Sequence, residues 1–238
     1  MVYNIVSFLR NLNEGNGIVN TIENYNVFVE KYKHALNEVE VLIYNIIKVF
    51  CKEKKVYCML GSRIKSKESI EQKMKRKNKP INLIWDIAGI RVVFCDWQDC
   101  KDMFSLDDEI KSWDKNDFSK NFNNTTDRYN DNFFVDILHD FKDYILEYTA
   151  NLDGYKVIFN EQKDYVTNPK ENGYQSIHLV IKFNDIPVEL QIRNLHQHLF
   201  AQYDHMHYYK GNESTDTSNE SNLGGQKDSQ GPQKKYVR

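Results

Sequence analysis

The chain of 238 residues has only four cysteines, Cys51, Cys58, Cys95 and Cys100, and none of the paired CxxC spacing that a structural zinc site uses. Four are also too few for a disulfide scaffold in a chain of this size, so a reducing compartment, the cytoplasm, is the expectation. No apolar run approaches the roughly 18 residues of a membrane span. The first residues, with Asn4, Asn11, Asn13 and Glu14, carry no signal-peptide pattern. An excess of one charge is missing as well, since 32 Lys and Arg stand against 34 Asp and Glu. That balance excludes a generally basic protein, and no internal repeat of useful length is present.

Positive charge is instead placed. "GSRIKSKESIEQKMKRKNKP", starting at Gly61, holds eight Lys or Arg between Arg63 and Lys79 against only Glu68 and Glu71. Ser66 is a suitable cap for a helix to about Lys77, with Glu68 and Ser69 in its first turn. Alone, this stretch is compatible with a solvated helix face, a nucleic-acid patch or a polyphosphate cradle.

Periodicity supplies the framework. From Ile22 to Phe50 apolar residues recur at helical spacing, as one long helix or two in tandem, and helical spacing returns over Phe133 to Tyr148 and Leu195 to Tyr209. "DIAGIRVVF" reads as a turn at Gly89 followed by a strand, Ile90 to Phe94, and "YKVIF" as another strand. The expected domains are an N-terminal segment 1–21, a folded unit 22–210 with a mobile polar insertion at 105–132, and a disordered polar tail 211–238.

"YQSIHLVIKFNDIPVELQIR" is the most informative stretch, two alternating runs joined at Asn184 and Asp185 as a two-residue hairpin. That turn puts Ile177, Leu179, Ile181 and Phe183 on one face with Ile186, Val188, Leu190 and Ile192. The other face carries His178 across from Gln191 and diagonal to Glu189, with Arg193 beyond. Cations, then Asp86 at a strand start, then Glu189 on a polar sheet face are what transfer of a phosphoryl or pyrophosphoryl group requires. Asp86 and Arg91 are equally compatible with a plain surface ion pair. Tyr174, after Gly173, stands where a base stacks or where a core tyrosine enters a strand. Among His196, His198, His205 and His207 the i, i+2 pairs do not share a helix face, which argues against zinc.

"SRIKSKESIEQKMKRK", "DIAGIRVV", "DYVTNPKENGYQSIHLVI", "PVELQIR" and "AQYDHMHYYK", in that order, resemble the synthetase domain of the RelA/SpoT family, nearest in size to the small alarmone synthetases. The resemblance covers about Tyr25 to Lys210. It implies an α/β (α+β) fold, a mixed β-sheet flanked by helices of the nucleotidyltransferase-like synthetase kind. It also implies a pyrophosphokinase that moves the β,γ-pyrophosphate of ATP to the 3′-OH of GDP or GTP. Under it, Arg63 and Arg91 sandwich the adenine, while Lys65, Ser69, Lys73 and Arg76 belong to the ATP site. Asp86 binds Mg²⁺, and Glu189 holds the metal or activates the 3′-OH. Tyr174 stacks on guanine, with His178, Gln191 and Arg193 around the acceptor.

The family's GYRS reads "GYQS" here, at Gln175, and its EH pair reads "DH", at Asp204 and His205. A polar tail replaces the helices that follow in tetrameric members, so a monomer or dimer is expected. Too few residues precede Arg63 for the family's separate hydrolase domain. Two other readings stand beside this one. A toxic relative would use the same chemistry on the 3′ end of tRNA or make adenosine alarmones, and a non-catalytic nucleotide- or RNA-binding module would not require both Asp86 and Glu189.

Overall fold

In the computed structural model, which describes residues 25–96, 99, 132–206 and 233–237, the first apolar series lies on one unbroken helix, α1 (Tyr25–Lys54). Val29, Tyr32, Leu36, Val39, Ile43, Ile46 and Phe50 are buried along one stripe of it, as three- and four-residue steps demand. There follow β1 (Tyr57–Ile64), α2 (Lys67–Lys77), a 3₁₀ turn (Ile81–Leu83), β2 (Ala88–Cys95), α3 (Asn132–Thr149), β3 (Tyr155–Asp164), β4 (Ile177–Phe183), β5 (Ile186–Asn194), α4 (Leu195–Asp204) and β6 (Gln233–Val237). The strands make one sheet in the order β3-β4-β5-β2-β1-β6. β2 and β5 run parallel, and the other neighbours are antiparallel.

The hairpin forms at Asn184 and Asp185, with φ of 47° and 64°. Both central residues of a type I′ turn need positive φ, and Asn and Asp tolerate it. The register then follows: Ile177 opposes Ile192, Leu179 opposes Leu190, and Ile181 opposes Val188. That face joins Leu60, Val92 and Phe94 in the main core beneath α1 and α3. Phe141 of α3 lies 5.0 Å from Phe50 of α1 and 5.1 Å from Phe94 of β2, centroid to centroid, so three aromatics lock the helices to the sheet.

On the opposite face α4 covers one end, packing Leu195, Leu199 and Tyr203 on Met59 and Val93. A capping box starts α4, with Asn194 and Gln197 exchanging side-chain and backbone bonds. Beyond α4, this face carries the polar residues of the site. No helix among the described residues is long and apolar enough to cross a membrane.

Three expectations need correction. Gly89 is inside β2 rather than at a turn, because its backbone pairs with Arg63 on one side and Glu189 on the other. The tail is not structureless throughout, since Gln233–Val237 add a sixth strand to the β1 edge. Among the described residues Cys51 and Cys58 are free and buried, whereas Cys95 is disulfide-bonded. Segment 1–21, insertion residues 105–131, and tail residues 211–232 lie outside the described residues, as do Tyr208 and Tyr209 of the expected last helix.

Candidate active site

Alternation along β4 and β5 puts His178, Glu189, Gln191 and Arg193 on one face, and their side chains close a hydrogen-bonded circuit with Tyr174. Arg193 Nη2 donates to the Tyr174 hydroxyl at 2.5 Å and to Gln191 Oε1 at 2.9 Å. Gln191 Nε2 donates to Glu189 Oε2 at 2.9 Å. On the other side, His178 lies between Glu189 Oε1, 3.1 Å from Nδ1, and the Tyr174 hydroxyl, 2.9 Å from Nε2. Since Tyr174 already accepts from Arg193, its own proton goes to Nε2, which assigns a neutral imidazole carrying its hydrogen on Nδ1. Every polar group in the ring then has a donor or acceptor role.

The electrostatics agree with that assignment. Burial pulls the His178 pKa below 6.5, and this outweighs the attraction of Glu189. Burial pushes the other way on Glu189, but the bonds from His178 and Gln191 and the charge of Lys65 hold it ionised, with its pKa lowered from 4.5 to about 2. Arg193 is only 3% exposed under α4. It therefore acts on the site through Tyr174 and Gln191, not as a contact to ligand.

Cations gather on the β1 side. The ammonium groups of Lys65 and Lys73 both bond Asp86 Oδ2, and Lys65 also donates to the Asp86 carbonyl at 2.8 Å. Asp86 therefore pairs with two lysines of the cationic segment. Although burial opposes ionisation, the Lys65 and Lys73 charges hold its pKa below 3.8. Burial lowers the pKa of Lys65 despite its carboxylate partner. Lys65 also acts on Glu189, so one ammonium ties the two carboxylates together electrostatically.

Arg63 and Arg91 face glycines across the β1–β2 pair, Arg63 opposite Gly89 and Arg91 opposite Gly61. Diagonal neighbours on one face are about 7–8 Å apart, and the glycines leave the floor between the two guanidinium groups without side chains. Ser66 caps α2 by accepting from the Ser69 amide. Ser69 lies exposed in the first turn and Arg76 in the last, so α2 brings Lys73 into the Asp86 cluster and leaves those two at its ends.

The loop from Asp164 to Ser176 carries Tyr174. Asp164 turns the chain by accepting from the amides of Val166 and Thr167, both at 3.1 Å, and is bound by His139 of α3 at 2.9 Å. Gly173 has φ +83°, and a Cβ there would stand 3.3 Å from the Phe200 ring, so the position requires glycine twice over. Asn172 donates to Asp204 at 3.0 Å, which is where the shortened acid of "DH" is used. Gln175 accepts from Gln197 at 3.2 Å and is turned toward α4. Lys170 lies 4.4 Å from the Tyr174 ring centroid and 4.5 Å from that of Tyr165.

Sequence reasoning missed His139, Asp164 and Lys170 as supports of this loop. The signal for Asp164 was the "DYVTNP" turn, but His139 comes from a helix that only the fold brings near. Among the described residues no group of three or more His, Cys, Asp or Glu suits a metal ion. Of the four histidines, His198 is buried and His207 lies outside the described residues. Asp86 and Glu189, two oxygen donors with lone pairs to spare beside a cation cluster, suit Mg²⁺, which is commonly held by one or two carboxylates and substrate phosphates.

A family model described as "Region found in RelA / SpoT proteins" matches residues 62–151 and 116–214. Curated relatives include "Probable GTP diphosphokinase RSH3, chloroplastic" of Oryza sativa subsp. japonica, 28% identical over 160 residues, 67% of this chain and 16% of that protein. GTP pyrophosphokinase YwaC of Bacillus subtilis is 29% identical over 165 residues, 63% of this chain and 58% of that protein. The chain thus spans about a sixth of the rice relative. Among solved structures, small alarmone synthetase 1 of Bacillus subtilis superposes with a TM-score of 0.54 at 22% identity, over 80% of this chain and 81% of that one. The same enzyme bound to its product pppGpp gives 0.51 at 21% identity, over 82% and 84%. These likenesses establish a shared fold, the mixed sheet flanked by helices.

Proposed function

The chain belongs to the RelA/SpoT family, and from that premise we propose that it is a pyrophosphokinase that transfers the β,γ-pyrophosphate of ATP to the 3′-OH of GDP or GTP. One observation carries the reading: the Tyr174–His178–Glu189–Gln191–Arg193 circuit and the Lys65–Asp86–Lys73 cluster lie on one sheet face, linked by the charge of Lys65. A non-catalytic binding module has no need of two ionised, half-buried carboxylates at the meeting of two subsites.

In the proposed reaction the 3′-hydroxyl oxygen attacks the β-phosphorus of ATP. The bond from that phosphorus to the α–β bridging oxygen breaks, AMP leaves with the oxygen, and the hydroxyl proton is released. Arg63 and Arg91 flank the adenine over the glycine floor. Lys65 and Lys73 neutralise the triphosphate, with Ser69 and Arg76 at the two ends of α2. Tyr174 presents its ring to guanine, for which Lys170 has to yield one face. Mg²⁺ held by Asp86 and Glu189 together with the phosphates would supply further neutralisation of developing charge. With a pKa near 2, Glu189 orients the hydroxyl by accepting its hydrogen bond and is a poor base at neutral pH.

Incubating the protein with labelled ATP and, separately, GMP, GDP, GTP or tRNA tests the reading. AMP and a 3′-pyrophosphorylated guanosine nucleotide are expected, with loss of both on chelation. Product on tRNA alone, or AMP formation with no guanosine acceptor, overturns it.

A further inference from the structure

Past Glu189, on the side away from the donor cations, the polar face ends in two lysines that the chemistry above does not use. Lys182 of β4 stands directly opposite Lys156 of β3. Like charges facing each other across an antiparallel pair are destabilising, and among the described residues neither lysine is joined to a carboxylate. Lys156 is exposed and Lys182 half-buried. Lys182 Nζ lies 5.3 Å from the Trp85 ring centroid, and Trp85, next to Asp86, is 44% exposed. Two uncompensated cations beside an open indole make an arrangement that an anion completes.

Position says which anion. His178, Val180 and Lys182 succeed one another on this face of β4, and Val180 is opposite Glu189. At about 3.4 Å per residue, Lys182 is about 7 Å beyond the Glu189 row and His178 about 7 Å before it. A nucleoside with its base on Tyr174 and its 3′-OH at Glu189 therefore extends its 5′ substituent toward Lys182 and Lys156. The donor triphosphate has its own cations, Lys65 and Lys73, on the far side of Glu189. We propose that Lys156 and Lys182 form the subsite for the 5′-diphosphate or 5′-triphosphate of the acceptor, with Trp85 orienting Lys182. This rests on the function proposed above.

The test is the acceptor series GMP, GDP and GTP at saturating ATP, with the wild type and the double variant Lys156→Ala/Lys182→Ala. Loss of two charge-assisted contacts should raise KM for GDP and GTP by about tenfold or more. KM for GMP should change less than about twofold, and KM for ATP and kcat should stay near wild type. The Lys156→Arg/Lys182→Arg variant should keep the wild-type preference for GTP over GMP. An unchanged GTP-to-GMP preference in the alanine variant, or a KM for ATP that rises in step, overturns the subsite. If the double variant does not fold, Lys156→Ala, at an exposed side chain, serves alone, with the same direction expected and the same outcomes overturning the proposal. A wild type that transfers to no guanosine nucleotide overturns the functional reading and the subsite together, whereas an active wild type with an indifferent variant overturns the subsite alone.

Discussion

Tyr174 and Glu189 are joined by two separate routes, through His178 on one side and through Arg193 and Gln191 on the other. The aromatic ring assigned to the acceptor base and the carboxylate assigned to its 3′-OH thus form one rigid unit. Such a unit sets the distance between base and hydroxyl before substrate arrives, which is the positioning that pyrophosphoryl transfer needs.

Two substitutions at Tyr174 separate stacking from positioning. Tyr174→Ala removes an aromatic worth about 1–3 kcal/mol to a stacked base, so KM for GDP or GTP should rise by about tenfold or more. Tyr174→Phe keeps the ring but leaves Arg193 and His178 without their shared hydroxyl, so kcat should fall more than KM rises. KM for ATP should be unaffected in both. An equal rise for ATP would place Tyr174 in the donor pocket.

Glu189→Gln should reduce turnover by at least about a hundredfold while the protein stays folded. Stability should respond to acid in a defined direction. The folded pKa, about 2, lies below the ordinary 4.5, so the stabilisation is present above pH 4.5 and is lost as pH falls through 2, in total on the order of 1–3 kcal/mol. Urea midpoints taken from pH 5 downward should therefore fall more steeply in the wild type than in Glu189→Gln. Parallel slopes would show that the carboxylate is not held ionised by its neighbours.

Asp86→Asn removes the anion shared by Lys65 and Lys73. Two cations then face each other, so the melting temperature should drop by a few degrees, yet ATP should bind at least as well because its phosphates replace the lost charge. Calorimetry with and without Mg²⁺ is the readout. In the wild type Mg²⁺ should strengthen ATP binding, and in the variant that dependence should largely vanish along with turnover. A variant with wild-type turnover would leave Asp86 a structural ion pair only.

A chain ended after Lys210 lacks β6 and bares the β1 edge. The loss of an edge strand, about 1–2 kcal/mol, should lower the melting temperature by several degrees and speed exchange of amides in Tyr57–Ile64. An open edge also invites association, so light scattering should show more aggregate than in the full chain. Unchanged exchange in β1 would mean that β6 contributes nothing to the sheet in solution.

Much of this protein was legible one residue at a time, because the signals were local. Alternation of period two from Ile177 to Ile192 with Asn184-Asp185 between assigned the core face, the polar face and the pairing of His178 with Gln191, since backbone pleat and turn chemistry admit no other register. Helical spacing likewise marked α1 and α3, and Ser66 marked the start of α2. The tertiary structure alone decided who partners whom. Asp86 had Arg91 near it in sequence but bonds Lys65 and Lys73, because β1 lies beside β2 and α2 folds back over their ends. Arg193 read as a ligand contact but is buried, because α4 closes over that end of the sheet and turns its charge onto Tyr174. His139 meets Asp164, Lys156 meets Lys182, and Gln233–Val237 meet β1. Each of these depends on strand order and helix placement, which arise from burial summed over the whole chain and leave no mark in the spacing of any one segment.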